Sequence, residues 1–186
     1  MKIRTREELI NYVNRGKKVK YLFFWGHQVK GNTVSKSCFS QWYPSPFSDG
    51  ENQFATAEHC MMYGKAKLFG DADAMQKALQ AKNPGAVKAV GRSVKGFDQT
   101  VWDDNKFDLV VKANLAKFAS NSELSAFLIN TGKRVLVEAS PVDKVWGIGL
   151  AEDDDAAQNP NLWKGENLLG FALMEAREQL QNKSSK

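Results

Sequence analysis

Ala55-Thr56-Ala57-Glu58-His59-Cys60-Met61-Met62-Tyr63-Gly64-Lys65-Ala66-Lys67-Leu68-Phe69 is the stretch from which the rest of the chain is best read. Its spacing predicts a helix, with Thr56 placed as the N-cap. Glu58 and Lys65 are seven residues apart, so on a helix they differ by only about 20° around the axis. Met61 and Met62 fall between them on the same side. An acid, a base and two soft apolar groups on one face fit neither a solvated face nor a plain core face. Gly64 is a poor helix residue, and close approach of a ligand or a neighbouring element gives a reason for it. A glutamate in the first turn is accounted for by the helix dipole alone. The same dipole predicts a lowered pKa and an ionised Glu58, suited to a base or electrostatic role rather than to proton donation.

Outward toward the N-terminus, Cys38 to Asp49 sets Phe39, Trp42, Tyr43 and Phe47 among serines and prolines. Pro44 and Pro46 exclude a helix interior or a central strand there, so these rings either join the core or line a pocket. Val19 to Trp25 is rich in β-formers and reads as a strand. Gly26 to Ser37 reads as a turn or hairpin with Gly31-Asn32 at its tip. Thr5-Arg6-Glu7-Glu8 is a capping-box pattern opening a helix to about Val13.

Outward toward the C-terminus, Asp71 caps a helix to about Ala81, and Asn83-Pro84 opens another to about Val90. Gly91 and Gly96 frame a basic loop, Arg92-Ser93-Val94-Lys95. Asp98 to Phe118 is the longest helical run, with Trp102, Leu109, Ala113 and Ala116 on one face. Ser122 to Thr131 is helical, closed by Gly132. Val135 to Ala139 is a strand, Glu152 to Asp155 an acidic loop, and Pro160 to Gly165 irregular. Leu168 to Leu180 is a last amphipathic helix, and Gln181 to Lys186 a polar tail. Many helices with a few strands made by distant segments define an α+β fold, mostly helical with a small sheet, in a single domain over 1–186 whose core spans about 20–180.

The 186 residues, 42% apolar and 25% charged, suffice for one domain with a real core. The net charge of +5 is compatible with a phosphate-bearing ligand or a nucleic acid, and a mildly basic surface accounts for it equally well. No apolar run reaches about 18 residues, and no h-region follows the N-terminal charges, so neither a transmembrane helix nor a signal peptide is expected. Cys38 and Cys60 form no C-x-x-C pair, and with His27 and His59 they give no metal-ligand spacing. Free thiols in a cytoplasmic protein are the simplest expectation.

Several motifs fail. Gly147-x-Gly149-x-x-Glu152 lacks the third glycine of a dinucleotide fingerprint, and Gly132-Lys133 lacks the rest of a phosphate loop. No G-x-S-x-G or H-E-x-x-H occurs. Carboxylates, tryptophans, glycines and cations remain. Asp143-x-x-Trp146-Gly147-x-Gly149 fits a loop bringing backbone N–H groups to a phosphate, although Asp143 also suits a simple turn acceptor. Lys65 and Arg92 are the best phosphate partners. Phe24, Trp25 and Trp42 are candidates for stacking on a base. Trp102, by spacing alone, belongs to the core.

Taken in order, these stretches resemble the NADAR family of YbiA-like N-glycosidases. The resemblance runs from Tyr21 to Leu180. It is carried by Tyr21 to Gly26, Cys38 to Phe47, Thr56 to Ala66, Gly91 to Val94, Lys117-Phe118, Thr131-Gly132, Val137 to Ser140, Asp143 to Gly149 and Trp163 to Gly170. It implies a YbiA-like fold and hydrolysis of a ribose–nitrogen bond without metal or cofactor. In one branch the substrates are phosphoribosylamino-pyrimidine intermediates of riboflavin synthesis, giving ribose 5-phosphate; in another, ADP-ribose on guanine is removed from nucleic acid. A small ribosyl phosphate, an ADP-ribosyl compound or ADP-ribosylated nucleic acid is thus the implied partner, and a membrane is not. The resemblance makes Glu58 the essential acid and puts Asp143, Trp102 and Trp146 in the pocket, with Lys65 and Arg92 on phosphate. Some members carry an Asp between the two glycines where this chain has Ile148, so any second carboxylate role falls to Asp143 or Glu58, or is absent. A non-catalytic ADP-ribose-binding module is the alternative; a basic nucleic-acid binder would need a stripe that the scattered lysines do not form.

Overall fold

The structure, a computed structural model, describes residues 2–29, 31 and 33–184. Thr5 opens α1 (Arg6–Asn14) with a complete capping box. The first strand, β1, is Tyr21–Phe24, followed by a 3-10 turn at Lys36–Phe39 and a short hairpin of β2 (Phe47–Ser48) and β3 (Gln53–Phe54). A helical block follows: α2 (Ala57–Leu68), α3 (Ala72–Gln80), α4 (Pro84–Arg92), α5 (Gln99–Ala119) and α6 (Ser122–Ile129). The chain closes with β4 (Val135–Glu138), two 3-10 turns, and α7 (Leu168–Ser184).

The side chains of Asp71, Asn83, Asp98 and Asn121 each accept a backbone N–H at their helix starts, satisfying donors that a helix N-terminus leaves open. Thr56 occupies the N-cap of α2, but its hydroxyl bonds the His59 ring instead of a backbone N–H. Three boundaries depart from expectation. No strand pair forms among the described residues of 26–37, and Asn32 of the expected tip lies outside those residues. Gly91 and Arg92 belong to α4 rather than to a loop. Gln181 continues α7 rather than starting a tail, while Ser185 and Lys186 lie outside the described residues.

β1 and β4 pair in parallel, Tyr21 opposite Val135 and Phe24 opposite Glu138. Val135, Leu136 and Val137 are fully buried, the continuous apolar run expected of a parallel strand covered on both faces. α7 lies on β4, α5 runs along α7, and α2 sits among α3, α4 and α5. On α5 the fully buried positions are Val110, Ala113, Asn114, Lys117 and Phe118, while Trp102, Leu109 and Ala116 are half-buried. Gly91 permits the α2–α4 contact: a Cβ there would overlap the Met62 sulfur. Gly64 lies close to Leu109 of α5, where a Cβ would come within 3.0 Å of a side-chain methyl.

This packing aims the carboxyl ends of β1 and β4 at the N-terminus of α2. Strand ends of that kind are where open α/β arrangements bind ligands. Among the described residues no helix is long and apolar enough to cross a membrane.

Candidate active site

A cavity of about 600 Å³ opens at this junction. β1 and its continuation contribute Trp25, Gly26 and His27; the segment after the first 3-10 turn contributes Ser40, Gln41 and Trp42. Glu58, Met61, Met62 and Lys65 project from α2, Lys88 and Arg92 from α4, and Trp102 from α5. The far wall is Glu138, Ser140, Val142, Asp143 and Trp146. The sequence candidates Glu58, Asp143, Trp25, Trp42, Lys65, Arg92, Trp102 and Trp146 therefore meet in one place. Trp102, a core residue by spacing, lies beside Lys65, whose Nζ is 5.2 Å from its ring.

Phe24, Gly147 and Gly149 are not in the wall. Phe24 is fully buried and packs edge-on against Phe39 at 5.4 Å; strand alternation turns it inward. The backbone N–H of Gly149 is donated to the Asp143 carbonyl, and that of Ile148 to the Glu138 carbonyl. These groups hold the loop together instead of facing a phosphate. A Cβ on Gly147 would sit 2.9 Å from the Glu138 carbonyl oxygen, so this glycine lets the loop close on the strand end.

Glu58 is 6% exposed. Its backbone N–H donates to the Gln41 carbonyl at 2.9 Å, fixing the start of α2 against the Ser40–Trp42 segment. That segment is anchored from beneath. Asn114 donates to the Gln41 side-chain oxygen at 2.8 Å, and the fully buried Lys117 donates to the carbonyls of Cys38 and Ser40. Burial pushes the Glu58 carboxyl up to about 7. The Lys88 charge opposes that shift, Asp143 adds to it, and a hydrogen bond to the Trp42 side chain opposes it. The expectation of a lowered, permanently ionised Glu58 is thus overturned: desolvation outweighs the helix dipole.

Glu138 is not singled out by the sequence, where it reads as one residue of the strand Val135 to Ala139; the structure makes it the last residue of β4. The available signal was a lone acid ending the apolar run Val135-Leu136-Val137. Its carboxyl is pushed up to about 8, by burial first and then by Asp143 and Glu58, with Lys88 opposing. Lys88 also escaped notice. It lies one helical turn before Arg92, a relation visible only once α4 is known to reach Arg92. Asp143 is half-buried and accepts the N–H groups of Val145 (2.9 Å) and Trp146 (2.7 Å) through Oδ1. It is therefore a turn acceptor and a wall residue at once.

His59 is held between the Thr56 hydroxyl (2.8 Å) and the Ala81 carbonyl (3.1 Å), and burial lowers its pKa. Both ring nitrogens are thereby occupied. Among the described residues no group of three or more His, Cys, Asp or Glu is placed to hold a metal ion. Lys65, Lys88 and Arg92 form no ion pair among the described residues. Lys88 acts on Glu58 and Glu138 from a distance, which leaves Lys65 and Arg92 without a carboxylate partner in the cavity.

A family model described as the NADAR domain matches residues 23–181. An N-glycosidase of Acanthamoeba polyphaga mimivirus is 41% identical over 167 residues, 87% of this chain and 97% of that protein. The chloroplastic riboflavin biosynthesis protein PYRR of Zea mays is 34% identical over 112 residues, 58% of this chain and 16% of that protein. The NMR structure of the E. coli protein YbiA matches with a TM-score of 0.71 at 25% identity, covering 91% of this chain and 90% of that one. A pocket of buried acids, tryptophans and unpaired cations on this fold is that of an N-glycosyl hydrolase. The chain belongs to the NADAR family, among its YbiA-like N-glycosidases.

Proposed function

We propose that the protein hydrolyses the bond between ribose 5-phosphate and the nitrogen of an aminopyrimidine, of the type formed early in riboflavin synthesis, releasing ribose 5-phosphate and the free pyrimidine. The observation that carries this reading is the division of charge in the cavity. Lys88 is the cation that acts on Glu58 and Glu138. Lys65 lies instead against Phe97 and Trp102, at 4.3 and 5.2 Å from the ring centres. Lys65 and Arg92 thus remain to hold a phosphate, while the acids face the sugar. The name of the maize relative supports the riboflavin connection.

Breaking the ribose–nitrogen bond builds positive charge on C1′ and the ring oxygen. The ionised form of Glu58 stabilises that charge and takes a proton from the attacking water. A carboxyl poised near neutral pH is well matched to this work. Asp143, fixed by its two N–H contacts, orients the ribose hydroxyls. Trp42 and Trp146 grip the leaving base.

A second reading is removal of ADP-ribose from guanine in nucleic acid. It draws on the cavity's open rim, where Trp25 is 59% and Val142 is 84% exposed; an apolar mouth suits a base still attached to a polymer. The deciding experiment offers both substrate types side by side and follows release of base. Turnover of the phosphoribosyl pyrimidine alone supports the first reading, and turnover of ADP-ribosyl-guanine alone supports the second. Binding of either without free product would make the protein a binding module.

A further inference from the structure

We propose that Glu138 is the general acid of the reaction, the group that protonates the leaving nitrogen, and that Asn167 is the residue that positions it. This rests on the N-glycosidase reading of the same cavity.

The geometry begins with the backbone. Glu138 ends β4 at the carboxyl edge of the parallel pair, and both its peptide groups are held. Its N–H donates to Asn167 Oδ1 at 2.9 Å, and its carbonyl accepts the Ile148 N–H at 2.9 Å. Asn167 is fully buried and carries a positive φ of 57°. Its Nδ2 donates to the Leu136 carbonyl at 2.9 Å, so one amide clamps two rungs of the strand. Gly170 makes room for the clamp: a Cβ there would overlap the Leu136 carbonyl and the Asn167 amide. The fold thus fixes this acid firmly at the wall of the cavity.

The side chain is treated differently. Glu138 Oε2 is buried and has no hydrogen-bond partner among the described residues. A buried polar atom left open costs about 1–3 kcal/mol, and such exceptions call for an explanation. A ligand in the cavity supplies one. Three carboxyl groups and one nearby cation, Lys88, cannot all be ionised together, so a proton is held among them. Asp143 Oδ1 already accepts two N–H groups. Glu58 accepts a hydrogen bond from the Trp42 side chain, while Lys88 acts on both glutamates. Of the three, only Glu138 has a buried oxygen with no hydrogen-bond partner among the described residues, the environment that keeps a carboxyl neutral.

The step balances without a further reactant. The C1′–N bond breaks with its electron pair going to nitrogen, which takes the Glu138 proton. Water forms the new C1′–O bond and gives its proton to Glu58. Glu138 is left ionised and Glu58 protonated, and transfer of one proton between them, directly or through solvent, restores the start.

The test compares two leaving groups on one sugar: an aminopyrimidine, which must be protonated to leave, and 4-nitrophenolate, which need not be, each on ribofuranose 5-phosphate of the same configuration. Glu138→Gln should lose roughly 100- to 10,000-fold in kcat on the first and less than about tenfold on the second. It should also lose the basic limb of the pH–rate profile. Glu138→Asp should keep that limb at reduced kcat, and provides a second variant if the amide folds poorly. Equal losses on both substrates, or near-wild-type cleavage of the aminopyrimidine by Glu138→Gln, would overturn the assignment. Wild-type protein that cleaves neither compound would overturn the N-glycosidase reading beneath it, and this proposal with it.

Discussion

The two ends of β4 handle buried charge in opposite ways. Just before its first residue, the Arg177 guanidinium of α7 is buried and donates to Thr131 Oγ1 at 2.6 Å and to the Arg134 carbonyl at 3.0 Å. Burial lowers its pKa to about 10, so it stays charged at neutral pH with partners the protein itself provides. At the last residue, Glu138 has a buried oxygen with no partner beside two further carboxyl groups. One end is complete without a ligand; the other is finished only when something enters. A buried charge with its contacts made serves the fold, and one whose contacts are missing marks where the fold gives way to chemistry.

Mutation can break this comparison. The largest effect on stability is expected at the satisfied end. Arg177→Met leaves the Arg134 carbonyl open and should cost about 3 kcal/mol, a fall in Tm of roughly 6–12 °C for a chain of this size. Calorimetry should find that fall nearly constant between pH 6 and pH 9, because Arg177 keeps its charge throughout. A fall below 2 °C would show that the guanidinium contributes little.

The open end should behave in the opposite sense. Glu58 and Glu138 hold protons in the folded state, up to about pH 7 and about pH 8, that the unfolded chain releases near its ordinary carboxyl value of 4.5. The folded state binds more protons in that window, so stability is greatest below it and declines as pH rises through it. Glu138→Gln removes the cost of ionisation. It should melt several degrees higher than the wild type above pH 8, with the gap closing below about pH 5. Melting curves recorded across that range check the sign; a destabilised amide variant at pH 9 would contradict it.

The smallest effect concerns the cations. Lys65→Met should reduce kcat/KM for a phosphorylated substrate by about 10- to 100-fold, mainly through KM. The same variant should treat the unphosphorylated riboside much as the wild type does. Steady-state kinetics on the two substrates separate a phosphate contact from a role in bond cleavage.

Much of the fold was legible because its signals are local. The capping box at Thr5, the cap at Asp71 and the Asn83-Pro84 start sit beside the helices they open. The apolar run Val135-Leu136-Val137 needs a buried strand and little else. The site was legible where a residue type was out of place, as with Glu58 and Lys65 on one helical face. It was illegible where the answer depended on distant packing. The protonation of Glu58 is set by desolvation in a cavity whose other walls come from β4, α4 and the Ser40–Trp42 segment. The choice of Trp25 over Phe24 depends on which strand face meets the core. For Gly147 and Gly149 the sequence leaves a tight turn and a phosphate loop equally open, because a glycine-rich loop looks alike whether it approaches a ligand or, as Gly147 does against Glu138, its own strand.

The most direct test follows free base and ribosyl phosphate, in equal amounts, from wild-type protein and from Glu58→Gln at pH 7. Circular dichroism confirms that both are folded. The account predicts steady release of the two products by the wild type and a rate lower by roughly 100- to 10,000-fold in the variant. Release by folded Glu58→Gln at the wild-type rate would contradict it.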